Sequence, residues 1–90
     1  MFIVVETFVN VGESSVSERR VRPVIGQPFS MNLRVECSKG MRYAHPLGQK
    51  FLLDVHSKQK EDGSPFLYSN YRAEWRPISD EDACKILSGR

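Results

Sequence analysis

The 90-residue sequence has few of the residue types that most often reveal chemistry. Its cysteines are Cys37 and Cys84 and its histidines are His45 and His56, and no two of these four stand at a spacing typical of zinc ligands. There is also no Gly-rich phosphate loop and no Ser-His-Asp set in a recognisable context. We therefore expect no metal site, no cofactor and no catalytic residues, and we predict that the protein is not an enzyme.

Long apolar runs are also missing. No stretch approaches the roughly 20 apolar residues that a membrane-spanning helix requires. The apolar start, Met1 to Val5, lacks a basic leader and a small-residue cleavage site, so it is interpreted as the first strand. With two cysteines and no signal, we expect a cytoplasmic protein with no membrane partner.

The composition fits one ordinary globular domain. Hydrophobic residues make up 40% of the chain and charged residues 27%, which argues against a disordered segment. Ninety residues suffice for one hydrophobic core, so we predict a single domain over residues 1–90.

Apolar and polar residues alternate with a period of two in most of the chain, and this favours strands. The five predicted strands are Phe2 to Val9, Glu18 to Ile25, Met31 to Cys37, Lys50 to Lys58 and Phe66 to Trp75. Both faces of the first strand are apolar, so it is either buried on both sides or pairs with another chain. Pro23 shortens the second strand or places it at a sheet edge.

Residues that favour turns separate the runs. They lie at 10–15, 26–28, 38–49 and 61–64. Gly40, Pro46 and Gly48 predict an ordered loop rather than a helix over 38–49, and Gly63 suits the positive φ of a hairpin turn. Pro77 is expected to end the fifth strand.

The C-terminal residues predict a short helix. Ser79 is a suitable N-cap, acidic residues follow it at 80–82, and Gly89 can end the helix. Five strands joined by short turns predict a mostly β fold, a five-stranded antiparallel meander closed as a small SH3-like (or OB-like) barrel. The helix would cover the sheet as a lid.

Positive charge is concentrated in the middle of the chain, over residues 17–60. If the outward strand faces form one surface, basic and aromatic side chains would share it. These are Arg20, Arg22, Arg34, His56, Lys58, Tyr68 and Arg72. Such a surface suits single-stranded nucleic acid, because bases stack on rings while cations follow the backbone. The same side chains could equally be the solvated outside of the fold.

Several apolar residues are not accounted for by one buried face. Phe2, Val4, Phe8 and Phe66 could form a self-association seam. Our first hypothesis is a non-catalytic interaction module that forms a homodimer through a strand edge. The alternative is single-stranded nucleic-acid binding. A second alternative, a small hydrolase, requires a cleft that joins a histidine to a carboxylate or to Cys84.

Two stretches resemble a group of known proteins. They are residues 45–53, with the sequence HPLGQKFLL, and residues 63–71, with the sequence GSPFLYSNY. They resemble short bacterial conserved-hypothetical proteins that occur among structural-genomics targets and mobile gene-cassette products. The resemblance covers the second half of the chain. It implies a small β-barrel without an assigned activity, and it implies no site.

Overall fold

Seven strands and two helices form the part of the chain that the structure, a computed structural model, describes: residues 1–9, 19–70 and 72–89. The strands are β1 (Phe2–Phe8), β2 (Arg20–Pro23), β3 (Val35–Glu36), β4 (Lys50–Asp54), β5 (His56–Gln59), β6 (Pro65–Tyr68) and β7 (Trp75–Ile78). The helices are α1 (Lys39–Tyr43) and α2 (Asp80–Ser88). The predicted turn at 10–15, Glu18 and Tyr71 lie outside the described residues.

The first sheet, sheet A, contains the longest strand at an interior position. Its order is β2-β1-β4-β7, and every neighbouring pair is antiparallel. Ile3, Val4 and Val5 of β1 are fully buried, so of the two alternatives predicted for this strand the structure shows burial on both sides. Pro23 lies in the edge strand β2, where a missing N–H costs no sheet hydrogen bond.

The second sheet, sheet B, has the order β3-β6-β5. β5 and β6 form an antiparallel hairpin whose turn contains Gly63 at a φ of 87°, as the sequence predicts. β3 instead runs parallel to β6, and in sheet A β1 pairs with β4 and β4 with β7, which are not consecutive in the chain. The predicted five-stranded antiparallel meander is therefore wrong, although sheet A is antiparallel.

Two apolar clusters cover the two faces of sheet A. The larger one lies between the sheets and contains Ile3, Val5, Val21, Val35, Met41, Phe51, Leu53, Val55 and Leu67. The smaller one lies between sheet A and α2, and it contains Val4, Val24, Ile78 and Ala83 with Leu52, Ile86 and Leu87 around them. The predicted C-terminal helix therefore covers the sheet as expected, and Ser79 Oγ caps it by accepting the Asp82 N–H at 3.0 Å.

The chain passes from one sheet to the other at Val55. The sequence predicts one strand over residues 50–58, but β4 belongs to sheet A and β5 to sheet B. Phe51, Leu53 and Val55 are all buried in the larger cluster, so the alternation is right although the strand is divided. Both sheets face the same core, and the period of two therefore continues across the bend.

Four further predictions differ from the structure. Of the third predicted strand only Val35 and Glu36 pair with another strand, because Ser30 forms a turn before them. Ser30 Oγ accepts the Asn32 N–H at 3.0 Å, and the Ser30 carbonyl accepts the Leu33 N–H at 3.1 Å.

The loop predicted over 38–49 contains α1, whose N-cap Ser38 accepts the Met41 N–H at 3.2 Å. The fifth predicted strand is divided into β6 and β7 by a turn at Asn70, whose Oδ1 accepts the Arg72 N–H at 3.0 Å. Pro77 lies inside β7 rather than after it, since β7 is an edge strand.

The fold is mostly β, with an antiparallel sheet and one short C-terminal helix. Within the described residues, no strand pairing joins sheet A to sheet B, so the sheets do not close. Among these residues there is also no helix with the length and apolar character to span a membrane.

Candidate functional site

An open groove with a volume of about 630 Å³ lies where the edge strand β2 faces the segment 31–37. Part of its wall is apolar and comes from Val21, Leu33 and Val35. Its lining also contains Arg20, Arg22, Arg34 and Arg42. We call this site the arginine groove. The one acidic side chain among the described lining residues is Glu36.

β2 supplies two of the arginines because its residues alternate between the core and the other face. Val21 is buried in the larger cluster, and Arg20 and Arg22 lie on either side of it along the strand. Arg22 Nε donates to Glu6 Oε1 at 3.0 Å, and its guanidinium lies 4.5 Å from the centre of the Phe8 ring. These contacts hold Arg22 in a defined position at the groove, which reduces the entropy lost on binding.

Arg34 reaches the groove from the opposite edge. It follows the turn at Ser30, and its backbone carbonyl accepts the Leu67 N–H at 2.9 Å, which fixes it beside β6. Its Nε lies 3.6 Å from Glu36 Oε1, and both side chains are substantially exposed, at 66% and 43%. An ion pair this exposed is weak and exchanges readily for another anion.

Arg42 comes from α1, which the sequence does not predict. Its Nη1 donates to the Arg19 carbonyl at 3.0 Å, while Arg19 Nη1 donates to the His45 carbonyl at 2.7 Å. This exchange of hydrogen bonds ties α1 to the start of β2. The signal that could have revealed Arg42 is Ser38, a helix N-cap residue, which Gly40 and Pro46 outweighed in the prediction.

Cys37 also lines the arginine groove. Burial raises the pKa of its thiol from 9.0 to about 11, and the positive charge of Arg42 acts in the opposite direction. The thiol is therefore protonated at neutral pH. Its contacts are those of a small apolar side chain packed against the larger cluster.

The structure separates the predicted basic surface into two regions and leaves one residue apart. Arg20, Arg22 and Arg34 converge on the arginine groove. His56, Lys58 and Tyr68 lie on the face of sheet B that points away from the core, as the neighbouring Leu67 is buried. Arg72 lies between β6 and β7, outside both regions.

The residues predicted for self-association do not form one seam. Val4 is fully buried against α2, and β1, which carries Phe2 and Phe8, pairs with a strand on each side. Phe8 is half-buried beside Arg22, and Phe2 is 44% exposed. Phe66 is half-buried on sheet B. The apolar character of β1 is thus explained by packing within one chain.

The remaining reactive side chains lie away from the groove lining. His45 contacts the rings of Phe51 and Trp75 at centroid distances of 5.4 and 6.1 Å, and His56 contacts Tyr68 at 5.3 Å. Cys84 is exposed on α2. Within residues 1–9, 19–70 and 72–89, no three His, Cys, Asp or Glu side chains form a group that could hold a metal ion.

Comparison with known proteins adds no assignment to this geometry. No protein-family model, curated protein or solved structure matches the chain significantly. The fold and the arginine groove therefore carry the functional argument alone.

Proposed function

We propose that the protein is a non-catalytic binding module whose arginine groove binds a ligand rich in phosphate groups. One observation carries this proposal: arginines from β2, from the residue before β3 and from α1 line the same groove. Guanidinium groups are well suited to phosphate, because their planar donors form paired hydrogen bonds and are always charged.

The charge balance of the groove supports an anionic ligand. Four arginines and one glutamate line it, and Glu6 pairs with Arg22 at 3.0 Å, so arginines outnumber carboxylates among these described residues. The ion pair between Arg34 and Glu36 is exposed and long enough to open at little cost. Its volume of about 630 Å³ lies within the usual range for ligand sites. An anion that enters would gain charge-assisted hydrogen bonds from both edges of the groove.

The absence of catalysis is part of the proposal. A hydrolase would need a positioned base, and His45 and His56 each pack against aromatic rings outside the described groove lining. Cys37 is protonated at neutral pH, which suits a wall residue better than a nucleophile.

The first prediction concerns the binding of inorganic tripolyphosphate, followed by calorimetry and by the NMR signals of the arginine Nε–H groups. We expect perturbation at Arg20, Arg22, Arg34 and Arg42. The double variant Arg20→Gln/Arg34→Gln should weaken binding about ten-fold or more at low salt, because two charged contacts are lost.

The matched control is Arg76→Gln/Lys85→Gln, which also removes two positive charges. Arg76 is exposed on β7, at the edge of sheet A opposite to β2, and Lys85 is exposed on α2, so their loss should change the affinity less than two-fold. Equal losses of affinity in the two variants would mean that tripolyphosphate binding depends on net charge alone, and the groove proposal would then be wrong.

We keep self-association through a strand edge as a second proposal, now with different strands. The described edges are β2 and β7 in sheet A and β3 and β5 in sheet B. Exposed apolar side chains near these edges, such as Ile25 at 74% exposure beyond β2, favour it. Light scattering over a concentration series tests this proposal, and a monomer at every concentration would rule it out.

The finer fold class, an SH3-like (or OB-like) barrel, is likewise a proposal. It is supported by the passage of the chain between the two sheets at Val55, which resembles a barrel corner. A cytoplasmic location and a bacterial gene-cassette relationship also stay predictions.

A further inference from the structure

The exposed face of sheet B carries two aromatic side chains on its central strand. Leu67 of β6 is 2% exposed and points into the core, so Phe66 and Tyr68 on either side of it point outward. On the neighbouring strand β5, Lys58 lies opposite Phe66 and His56 lies opposite Tyr68. We call these four residues the aromatic face. The basic side chains Lys58 and His56 therefore stand next to the two rings.

The contacts around Tyr68 suit a planar ligand. The Lys58 ammonium lies 4.0 Å from the centre of the Tyr68 ring, and the His56 ring meets it at 62°. Lys58 is exposed, and a cation over a ring at an exposed site is held less strongly than a stacked nucleobase. A base can therefore replace the ammonium on the ring, and the released ammonium can turn to a phosphate.

The aromatic face and the arginine groove are adjacent. Arg34 lines the groove, and its backbone carbonyl is hydrogen-bonded to Leu67, between the two outward rings. In addition, Glu36 and Tyr68 are paired neighbours on β3 and β6. One extended ligand can thus lie in the groove with its backbone and reach the rings with its side groups.

We infer that the ligand of the arginine groove is a single-stranded nucleic acid, whose phosphates contact the groove and whose bases stack on Tyr68 and Phe66. The inference rests on the proposed function, since it names the class of polyanion that the groove would bind. Polyanions without planar groups, such as polyphosphate, would use the groove alone. An acidic peptide has no nucleobases, so it would likewise gain no base stacking on these rings.

The test compares two labelled 12-mers of equal charge, oligothymidine and its abasic counterpart, by fluorescence anisotropy. The wild-type protein should bind oligothymidine at least five-fold more tightly. Tyr68→Leu should remove this difference, whereas Tyr68→Phe should retain it because the ring is kept. Neither variant should alter the affinity for the abasic strand.

Phe2→Leu is the control for the loss of a ring. Phe2 is 44% exposed at the start of β1, and it belongs neither to the aromatic face nor to the described lining of the arginine groove. It should leave both affinities within about two-fold, and near-ultraviolet circular dichroism should show that both leucine variants fold.

The outcomes separate the inference from the proposed function. If the wild type binds both strands equally, or if Tyr68→Leu keeps the preference for oligothymidine, base stacking on this face is wrong. The groove proposal then still stands, provided that Arg20→Gln/Arg34→Gln weakens binding of both strands. If that double variant binds both strands as well as the wild type does, the groove proposal fails as well.

Discussion

Sheet A and sheet B share one core but differ in how much of their surface is covered. Sheet A has the larger apolar cluster on one face and α2 on the other, and three consecutive residues of β1 are fully buried. Sheet B contacts the same core, and its other face carries half-buried rings beside the exposed side chains of His56 and Lys58. Stability is thus concentrated in sheet A, while the surface that can meet a ligand belongs to sheet B and to the edges.

The largest expected effect compares two phenylalanines. Phe51 on β4 is fully buried between the sheets, so Phe51→Ala should lower the free energy of unfolding by about 3–5 kcal/mol. Phe66→Ala removes the same atoms from the half-buried outer face of sheet B and should cost no more than about 1.5 kcal/mol. Urea denaturation measures both values. Similar losses would contradict the difference between the sheets.

A smaller effect is expected from a side chain that extends the pairing of sheet A. Gln27 Oε1 accepts the Val4 N–H at 2.9 Å, and its Nε2 donates to the carbonyls of Val4 and Val24 at 2.8 and 2.9 Å. Gln27→Ala removes the hydrogen-bond partner of these partly buried backbone groups. It should therefore lower the free energy of unfolding by about 1–3 kcal/mol.

The control for this variant is Gln59→Ala on β5 of sheet B. Gln59 is exposed, so its loss should change the free energy of unfolding by no more than about 0.5 kcal/mol. Thermal unfolding of the two variants under one condition gives the comparison. If Gln27→Ala is as mild as the control, the amide contributes little to β1.

The smallest effect concerns side-chain access at the two cysteines. Cys37 is partly buried at the groove, and its raised pKa of about 11 keeps the thiol protonated at pH 8, whereas Cys84 is exposed on α2. Iodoacetamide should therefore modify Cys84 at least about ten-fold faster in the native protein. In guanidinium chloride the two rates should become similar. Equal native rates would show that the groove wall opens readily.

The sequence predicts β1, β4 and α2 well because burial there follows simple periods. β1 is apolar on both faces and lies inside a sheet, and β4 alternates as expected. Ser79 and Gly89 mark the ends of α2 as predicted. In these elements the local pattern and the tertiary packing require the same residues.

The prediction fails where alternation arises without strand pairing. In residues 31–37 the apolar side chains do turn toward the core or the groove, but Ser30 forms a turn, and only Val35 and Glu36 join a sheet. Asn70 divides the fifth predicted strand in the same way. In both places a side-chain hydrogen bond to the backbone limits the strand, and the alternation of apolar and polar residues gives no sign of such a bond.

The candidate site could be predicted only in part. Arg20, Arg22 and Arg34 were expected to share a surface, and they do line one groove. Arg42 was missed because α1 was missed. The separation of Tyr68, His56 and Lys58 from the β2 arginines follows from the division into two sheets. The bend at Val55, which divides the fourth predicted strand between the sheets, has no signature in the alternation.

That bend has a consequence for how the protein tolerates insertions and deletions. Across residues 51–58 the odd positions 51, 53 and 55 are buried while His56 and Lys58 face outward, so core and ligand-facing residues are interleaved in one stretch of chain. Inserting one residue beside Val55 would exchange the two sides of β5 and so damage packing and the aromatic face together.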